Sequence, residues 1–305
     1  MSYEIKLRNP EEDEVLRRIE DRFDVPPIED SLRDSVVIVT GGTTGIGRGC
    51  GHGFMGVGAH VVFCGRDEAR GRAVEADMNR RYPNQKCIFK IVDVTVEQEI
   101  IDLVEFTAGE FGRINTLVNN AGYFPLQRPS DVITAEEFRH VLDTNLVAYF
   151  IGIRAALPYL RKTRGSVINI GSVVGTMGDE GSAAYSATKG AIQTMTRTIA
   201  TDEGAYGVRI NEVKPGHINT DMFRKTTSQQ ADMKGFVDYS DTLQWLGRGG
   251  TSAEIASAVM FLASDWASFI TGAYIHVTGG YEIGEGPKRK NPFLADWTDM
   301  QKIAD

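Results

Sequence analysis

VVIVTGGTTGIG, at residues 36–47, joins a short apolar run to a glycine-rich turn. The run is continuously β-branched, which is typical of a strand buried on both faces, as in a parallel sheet. The glycines permit a tight bend and let the backbone approach a pyrophosphate, and the N-terminus of the following helix offers free N–H groups. The stretch therefore predicts a dinucleotide-binding turn, with candidate contacts at Gly41, Thr43, Thr44, Gly45, Ile46 and Gly47.

Strand and helix patterns alternate along the rest of the chain. Strands are predicted at 60–64, 87–92, 116–119, 166–170, 209–213 and 274–277, and helices at 68–82, 97–111, 135–162, 185–206 and 252–263. The alternation predicts an α/β fold: a Rossmann-type, doubly wound sheet of about seven parallel strands with helices on both faces. We divide the chain into a charged N-terminal extension at 1–34, a single Rossmann-fold catalytic domain at 35–285 and a C-terminal tail at 286–305.

Three features depart from this regular pattern. Apolar residues of the extension, at 15, 16, 19 and 23, line one face of a short helix that either docks on a protein surface or stays solvated. Residues 222–250 carry bulky apolar side chains in an irregular excursion, either a lid over a pocket or a packing insertion. Gly49, Gly51 and Gly53 fall within the helix that follows the glycine-rich turn. Each costs about 1 kcal/mol there relative to alanine.

Composition limits the classes of partner. The net charge of −8 argues against nucleic acid or an anionic membrane surface, because both attract basic patches. No apolar stretch approaches the roughly 18 residues of a membrane-spanning helix. The three cysteines contain no C-x-x-C pair, which favours a reducing compartment and hence a cytoplasmic protein. The five histidines show no metal-ligand spacing, so we expect no metal site.

Tyr185 and Lys189 are four residues apart and therefore share one face of a helix. A lysine ammonium beside a tyrosine hydroxyl lowers the pKa of the phenol from about 10 toward the working pH, so the tyrosine can exchange a proton with a substrate oxygen. Ser172 and the segment Pro215–Thr220 each follow a predicted strand, and Asn145 lies in the long helix before Ser172. These elements converge on one edge of the sheet, which is the predicted active site.

The end of the second predicted strand bears on the choice of cofactor. An acidic side chain there binds the ribose hydroxyls of NAD, whereas an arginine suits the 2′-phosphate of NADP. Gly65 occupies the position of the acid, and Arg66 follows it. This favours NADP(H); NAD(H) is the alternative cofactor, and a solvated loop arginine is the alternative interpretation. Asp93, with Val94, and the segment Asn119–Gly122 end the next two strands and fit a cofactor lying across the same edge.

Together these motifs resemble the single-domain branch of the short-chain dehydrogenase/reductase superfamily over residues 33–285. The matching patterns are T-G-x-x-x-G-I-G at 40–47, N-N-A-G at 119–122, Asn145, Ser172, Y-x-x-x-K at 185–189 and P-G-x-x-x-T at 215–220. Segments 127–129, 156–162, 202–203, 206–209 and 277–280 are most similar to the 17-beta-hydroxysteroid dehydrogenases of type 14. Those enzymes have an acid at the position of Gly65 and prefer NAD, so the resemblance does not carry over the cofactor or the substrate.

The resemblance implies a role for each site residue. Tyr185 donates a proton, Lys189 lowers its pKa and binds the nicotinamide ribose, Ser172 hydrogen-bonds the carbonyl oxygen, and Asn145 holds a water that relays protons. Thr220 contacts the carboxamide. Tyr185 and Lys189 are also cofactor contacts, and the remaining ones are Asp93, Val94, Asn119, Ala121, Gly122, Pro215, Gly216 and Ile218. Relatives usually form homotetramers or homodimers through the helices that correspond to 135–162 and 185–206.

We therefore expect an oxidoreductase that transfers hydride between NADP(H) and a secondary alcohol or ketone, as an alcohol dehydrogenase or carbonyl reductase. The first alternative is an NAD-dependent hydroxysteroid or sugar-alcohol dehydrogenase. The second is a cofactor-binding regulator or a non-redox catalyst on the same fold.

Overall fold

The computed structural model describes residues 25–284, which are arranged around one parallel sheet. Its strands are β1 (Val36–Val39), β2 (His60–Gly65), β3 (Cys87–Ile91), β4 (Thr116–Asn119), β5 (Ser166–Ile170), β6 (Arg209–Pro215) and β7 (Tyr274–Val277). They lie in the order β3-β2-β1-β4-β5-β6-β7, and all neighbouring pairs are parallel. This confirms the predicted Rossmann-type sheet. The apolar positions of the extension and the tail at 286–305 lie outside the described residues, and the domain division stays a prediction.

Helices pack on both faces of the sheet. They are α1 (Ile28–Leu32), α2 (Gly45–Gly56), α3 (Glu68–Arg81), α4 (Glu97–Phe111), α5 (Ala135–Leu142), α6 (Ala148–Thr163), α7 (Ala183–Glu203), α8 (Asp221–Ser228), α9 (Met233–Thr242) and α10 (Ser252–Ala263). Val37 and Val39 pack into the core beneath α2, α3 and α10, whereas Ile38 packs into the core beneath α4 and α6. Burial on both faces explains the unbroken β-branched run of β1.

The three glycines inside α2 are explained by close packing. An ideal Cβ on Gly49 would lie 2.8 Å from the carbonyl oxygen of Ser252, at the start of α10. One on Gly53 would lie 3.0 Å from a methionine sulfur of α10, and one on Gly51 would lie 2.7 Å from the Cε of Met78 in α3. The backbone of α2 therefore approaches α10 too closely for a side chain at Gly49, whereas at Gly51 and Gly53 the neighbours are the flexible ends of methionine side chains.

The helix predicted at 135–162 is interrupted by a π-helical turn at Asp143–Val147, which separates α5 from α6. Within it the N–H of Ala148 bonds to the carbonyl of Asp143, five residues earlier. A π turn accommodates one residue more than an α-helical turn and is frequent at functional sites. Asn145 lies inside this turn, and its side chain is fully buried.

The segment at 222–250 contains two helices, α8 and α9, where the sequence predicted an irregular excursion. The Thr220 side chain accepts the N–H of Phe223 at 3.3 Å, and the Asp232 side chain accepts the N–H of Gly235 at 2.8 Å. Threonine and aspartate are favoured helix N-caps, so these residues are the local signals for both helices. Among residues 25–284, no helix combines the length and apolar character needed to cross a bilayer.

Candidate active site

A cavity of about 750 Å³ lies at the carboxyl edge of the sheet. The chain order of the strands reverses between β1 and β4, and open α/β sheets bind ligands in the crevice at such a point. Residues that follow six successive strands line the cavity: Gly41, Arg66, Asp93, Asn120, Ser172 and His217. The cavity is therefore lined by residues from segments that are far apart in the sequence.

Most of the predicted site residues line this cavity. From the predicted catalytic set they are Ser172, Tyr185 and Lys189. From the predicted cofactor contacts they are Gly41, Thr43, Thr44, Gly45, Ile46, Arg66, Asp93, Val94, Ala121, Gly122, Pro215, Gly216, Ile218 and Thr220. Gly47, Asn119 and Asn145 are buried next to the cavity and do not line it.

Each of those three residues supports the cavity wall. An ideal Cβ on Gly47 would lie 2.4 Å from the carbonyl oxygen of Gly41, so packing of the turn requires glycine there. Asn119 donates from Nδ2 to an asparagine of β5 at 2.9 Å, which directs its amide into the core. Asn145 accepts the N–H of Tyr123 at 2.7 Å and donates to its carbonyl at 2.9 Å, so it fixes the loop after β4.

The backbone of the glycine turn and the first turn of α2 have features that suit anion binding. Gly41 and Gly45 adopt left-handed backbone angles, with φ of 67° and 53°, which glycine tolerates without strain. The Thr40 hydroxyl accepts the N–H groups of Asn120 at 2.9 Å and Ala121 at 3.0 Å, which ties the end of β4 to the turn. Thr44 caps α2 without a side-chain hydrogen bond. The first N–H groups of α2 therefore face the cavity free of a capping side chain, as a pyrophosphate site requires.

Ser172, Tyr185 and Lys189 meet where β5 ends. The Lys189 ammonium donates to the carbonyl of Ile170 at 2.8 Å and lies 5.5 Å from the centroid of the Tyr185 ring. The edge of Phe124 meets the Tyr185 ring at a centroid distance of 4.7 Å. The Ser172 hydroxyl lines the same cavity and accepts the N–H of the residue two positions later at 3.3 Å. Two hydroxyls, those of Ser172 and Tyr185, therefore line the cavity next to the Lys189 ammonium.

Burial controls the protonation of this group. It raises the pKa of Tyr185 to about 12, against which a hydrogen bond with Ser172 acts. Burial lowers the pKa of Lys189 to about 8, and the Glu212 carboxylate opposes that change. The sequence predicted a lowered pKa for Tyr185. That prediction is wrong, because desolvation of the phenol outweighs its hydrogen bond with Ser172 and raises the pKa instead.

Where β2 ends at the cavity, the side chain of Thr43 occupies the space next to Gly65. An ideal Cβ on Gly65 would lie 2.7 Å from the methyl carbon of Thr43, so a larger side chain there displaces the turn. The Arg66 guanidinium lies 3.8 Å from the Asp93 carboxylate and is 73% exposed. Arg70 also lines the cavity and lies 3.6 Å from the Asp221 carboxylate. Two arginines, Arg66 and Arg70, therefore line the cavity near the end of β2.

Comparison with known proteins identifies the family. A family model described as enoyl-(acyl carrier protein) reductase matches residues 41–282. L-fucose dehydrogenase from Bos taurus is 45% identical over 253 residues, which is 83% of this chain and 91% of that protein. The chain belongs to the short-chain dehydrogenase/reductase family. It is therefore an oxidoreductase of the class that works with a nicotinamide cofactor, NAD(H) or NADP(H).

Solved structures of other short-chain dehydrogenases/reductases superpose on the described fold. Levodione reductase matches with a TM-score of 0.80 at 30% identity, covering 83% of this chain and 99% of that chain. Aldohexose dehydrogenase from Thermoplasma acidophilum matches with a TM-score of 0.76 at 31% identity, covering 87% and 98%. The fold is therefore shared with both structures over most of this chain.

In this short-chain dehydrogenase/reductase the substrate end of the cavity combines aromatic rings with polar groups. Phe223, Phe236, Tyr239 and Tyr281 line it beside Gln127, Asp179 and His217. Gln127 donates to the Asp179 carboxylate at 3.3 Å. Burial lowers the pKa of His217, which Asp179 opposes. These residues come from six separate loops and helices and form no spaced motif. The sequence placed Phe223, Phe236 and Tyr239 in a possible lid and His217 in the segment Pro215–Thr220, but it did not bring the two segments together.

No metal site accompanies this cavity in the described part of the chain. Residues 25–284 contain no group of three or more histidine, cysteine, aspartate or glutamate side chains placed to hold a metal ion.

Proposed function

We propose that this chain is an NADP(H)-dependent dehydrogenase that interconverts a secondary alcohol on a ring with its carbonyl form, and that aldose sugars are its leading substrate class. One observation carries the proposal. Ser172, Tyr185 and Lys189 line the same 750 Å³ cavity as the uncapped glycine turn, at the switch point of a parallel sheet. A proton-transfer group thus lies in the crevice that fits a dinucleotide.

The proposed roles of these residues are those that the family resemblance implies, and their positions support them. The bound nicotinamide supplies or accepts the hydride. Tyr185 gives its hydroxyl proton to the substrate carbonyl oxygen in reduction, and Ser172 donates a hydrogen bond to that oxygen as negative charge develops on it. The Lys189 ammonium, 5.5 Å from the centroid of the Tyr185 ring, stabilises the phenolate that results. Asn145 donates to the Thr188 hydroxyl at 3.5 Å, beside Lys189, which supports a place for it in proton relay.

The preference for NADP(H) is supported by shape and charge together. Gly65 lies against Thr43 and leaves no space for the acid that would bind the ribose hydroxyls of NAD. The exposed Arg66 guanidinium lies at the mouth of the cavity, where it can contact a 2′-phosphate in the bidentate manner that arginine favours.

The substrate class is supported by the cavity wall and by the relatives. Aromatic faces pack against the C–H groups of a ring, while Asp179, Gln127 and His217 accept or donate hydrogen bonds to ring hydroxyls. One relative is an L-fucose dehydrogenase and one solved neighbour is an aldohexose dehydrogenase. The sequence likeness to type 14 17-beta-hydroxysteroid dehydrogenases is not supported by these comparisons, so a steroid hydroxyl serves as the second class to test.

The test is turnover followed by the absorbance of reduced nicotinamide, with NADP⁺ and NAD⁺ each offered against L-fucose, other aldoses, simple cyclic alcohols and a 17β-hydroxysteroid. We expect the highest kcat/KM with NADP⁺ and a sugar or a small ring alcohol. Tyr185→Phe is expected to abolish turnover and to leave cofactor affinity nearly intact, because it removes only the hydroxyl that transfers the proton and keeps the ring. Tyr206→Phe, on an exposed turn, is the matched control.

Two results would contradict the proposal in different ways. Undiminished turnover of Tyr185→Phe would remove the proton-donor role. Tight cofactor binding without turnover of any alcohol in the panel would favour the cofactor-binding regulator.

We further propose that the chain pairs into a homodimer or homotetramer in the cytoplasm. Val147 and Phe150 lie at the α5–α6 region and are 41% and 47% exposed, which supports an interface there. The three cysteines are buried and free, which fits a reducing compartment.

A further inference from the structure

A row of polar side chains crosses the sheet beneath the active site. Asn119 of β4 is in register with Asn169 of β5, which is in register with Glu212 of β6 and, through it, with Tyr274 of β7. Register partners in a parallel sheet point to the same face, and Asn169 donates to a threonine of α7 at 2.9 Å. The row therefore lies between the sheet and α7, which carries Tyr185 and Lys189.

Glu212 is the acidic member of this row, and it is fully buried. Neither of its carboxylate oxygens has a hydrogen-bond partner among the described residues. An ideal Cβ on Gly171 would lie 1.8 Å from Glu212 Oε1, so the carboxylate rests against the backbone that leads into Ser172. A buried carboxylate without hydrogen bonds is costly and requires a compensating charge.

That charge is not supplied by one close ion pair. Lys214 lies on the same face of β6 and is fully buried, but its ammonium is 4.0 Å from Glu212 Oε2. It donates instead to the hydroxyl of Thr176 at 2.7 Å and to the side-chain oxygen of Gln193 at 2.6 Å. Buried ion pairs are on the whole no more stabilising than apolar side chains of similar volume. Glu212 therefore compensates the buried Lys214 ammonium only in part, across a distance of 4.0 Å.

Glu212 and Lys189 approach the same short piece of backbone from two sides. Lys189 donates to the carbonyl of Ile170, and the Glu212 carboxylate touches the next residue, Gly171. Within the described residues, the other ionisable groups with an electrostatic effect on this carboxylate, or affected by it, are Lys214 on β6, Arg197 on α7 and Tyr149 on α6. The register partner of Glu212 on β7 is Tyr274, which also carries a hydroxyl.

We propose that Glu212 is a positioning residue whose buried carboxylate holds the Lys189 ammonium in its charged form next to the end of β5. The inference rests on the proposed function of Lys189. A charged Lys189 is the form that stabilises the Tyr185 phenolate, so Glu212 extends the alkaline range over which a carbonyl substrate is reduced. Burial raises the pKa of Glu212 to about 7, so the carboxylate is ionised where Lys189, with a pKa of about 8, begins to lose its proton.

The test is the pH profile of kcat for carbonyl reduction in Glu212→Gln. Loss of the carboxylate lowers the pKa of Lys189, so the alkaline limb moves to lower pH by about one unit. Glu212→Asp keeps the charge and is expected to restore most of the limb. Thr196→Val is the matched control, because it disturbs the same buried row at Asn169 without changing any charge. A loss of kcat that is equal at every pH in Glu212→Gln overturns the inference.

A second readout needs no turnover. In protein labelled with ¹³C at lysine Cε, and with Lys189 assigned by Lys189→Met, the Lys189 titration is expected to move down in Glu212→Gln and to stay in place in Thr196→Val. Wild type alone is expected to show a second inflection near pH 7, the pKa of Glu212. Absence of that inflection overturns the inference even if the variant does not fold. Its presence in a protein that turns over no alcohol supports the link between Glu212 and Lys189 and refutes the proposed function alone.

Discussion

Replacing Arg66 by alanine tests the cofactor preference directly. The Arg66 guanidinium is 73% exposed and lies 3.8 Å from Asp93, so its acidic neighbour does not fully occupy it. A charge-assisted hydrogen bond to a phosphate contributes about 1.5–3 kcal/mol, and solvent screening at this exposure brings the value to the lower end. A loss of about 1.5 kcal/mol weakens NADPH binding roughly tenfold, whereas NADH, which lacks the 2′-phosphate, loses little.

Titration calorimetry with NADPH and NADH measures both dissociation constants in wild type and Arg66→Ala. Arg80→Ala is the matched control, because it removes the same charge from an arginine that pairs with Asp77 outside the cavity. It is expected to leave both affinities unchanged. Equal weakening of NADPH and NADH in Arg66→Ala, or no weakening of either, would refute the assignment of Arg66 to the phosphate.

Three further perturbations separate packing, charge and assembly. Gly49→Ala is expected to destabilise the fold by about 1–2 kcal/mol, because overpacking against a backbone oxygen 2.8 Å away outweighs the gain in helix propensity. Gly51→Ala meets only a methionine methyl and is expected to be neutral or stabilising. Urea unfolding curves that give the same loss of stability for both variants would contradict this. Because burial raises the pKa of Glu212 from 4.5 to about 7, the folded state binds an extra proton between those values, and stability falls as pH rises through that window. Relative to wild type, Glu212→Gln is therefore expected to gain on the order of 3 kcal/mol in unfolding free energy between pH 4 and pH 8, and a pH-independent difference would count against the raised pKa. Phe150→Lys is expected to lower the solution mass measured by light scattering, since Phe150 is 47% exposed on α6, and an unchanged mass would place the pairing surface elsewhere.

The strand positions were predictable because each strand is a short, local run of apolar residues. β1, β4, β5 and β7 have the predicted bounds, and β6 continues two residues further, through Lys214 and Pro215. The burial of a lysine at 214 is not readable from a local pattern, because its hydrogen-bond partners lie on a distant turn and on α7.

The candidate site was predictable where the functional residues have a regular spacing within one helix or directly follow a strand. Tyr185 and Lys189 sit on one helix face, and Ser172 follows a strand, so all three reach the cavity. Asp179 and His217 reach it too, but the loops that carry them are related to each other only through the folded sheet. The same holds for Gly49, whose need for glycine comes from a helix that begins at Ser252.

The sequence alone determines the parallel sheet, the dinucleotide turn and the tyrosine–lysine pair, because each depends on interactions within a few residues. Tertiary structure alone decided that Asn119 and Asn145 support the cavity from outside, that Thr43 fills the space beside Gly65, and that the Glu212 carboxylate lies against the end of β5. Those facts depend on strand register and helix approach. Contacts of this kind are set by how distant segments pack, and no local spacing encodes them.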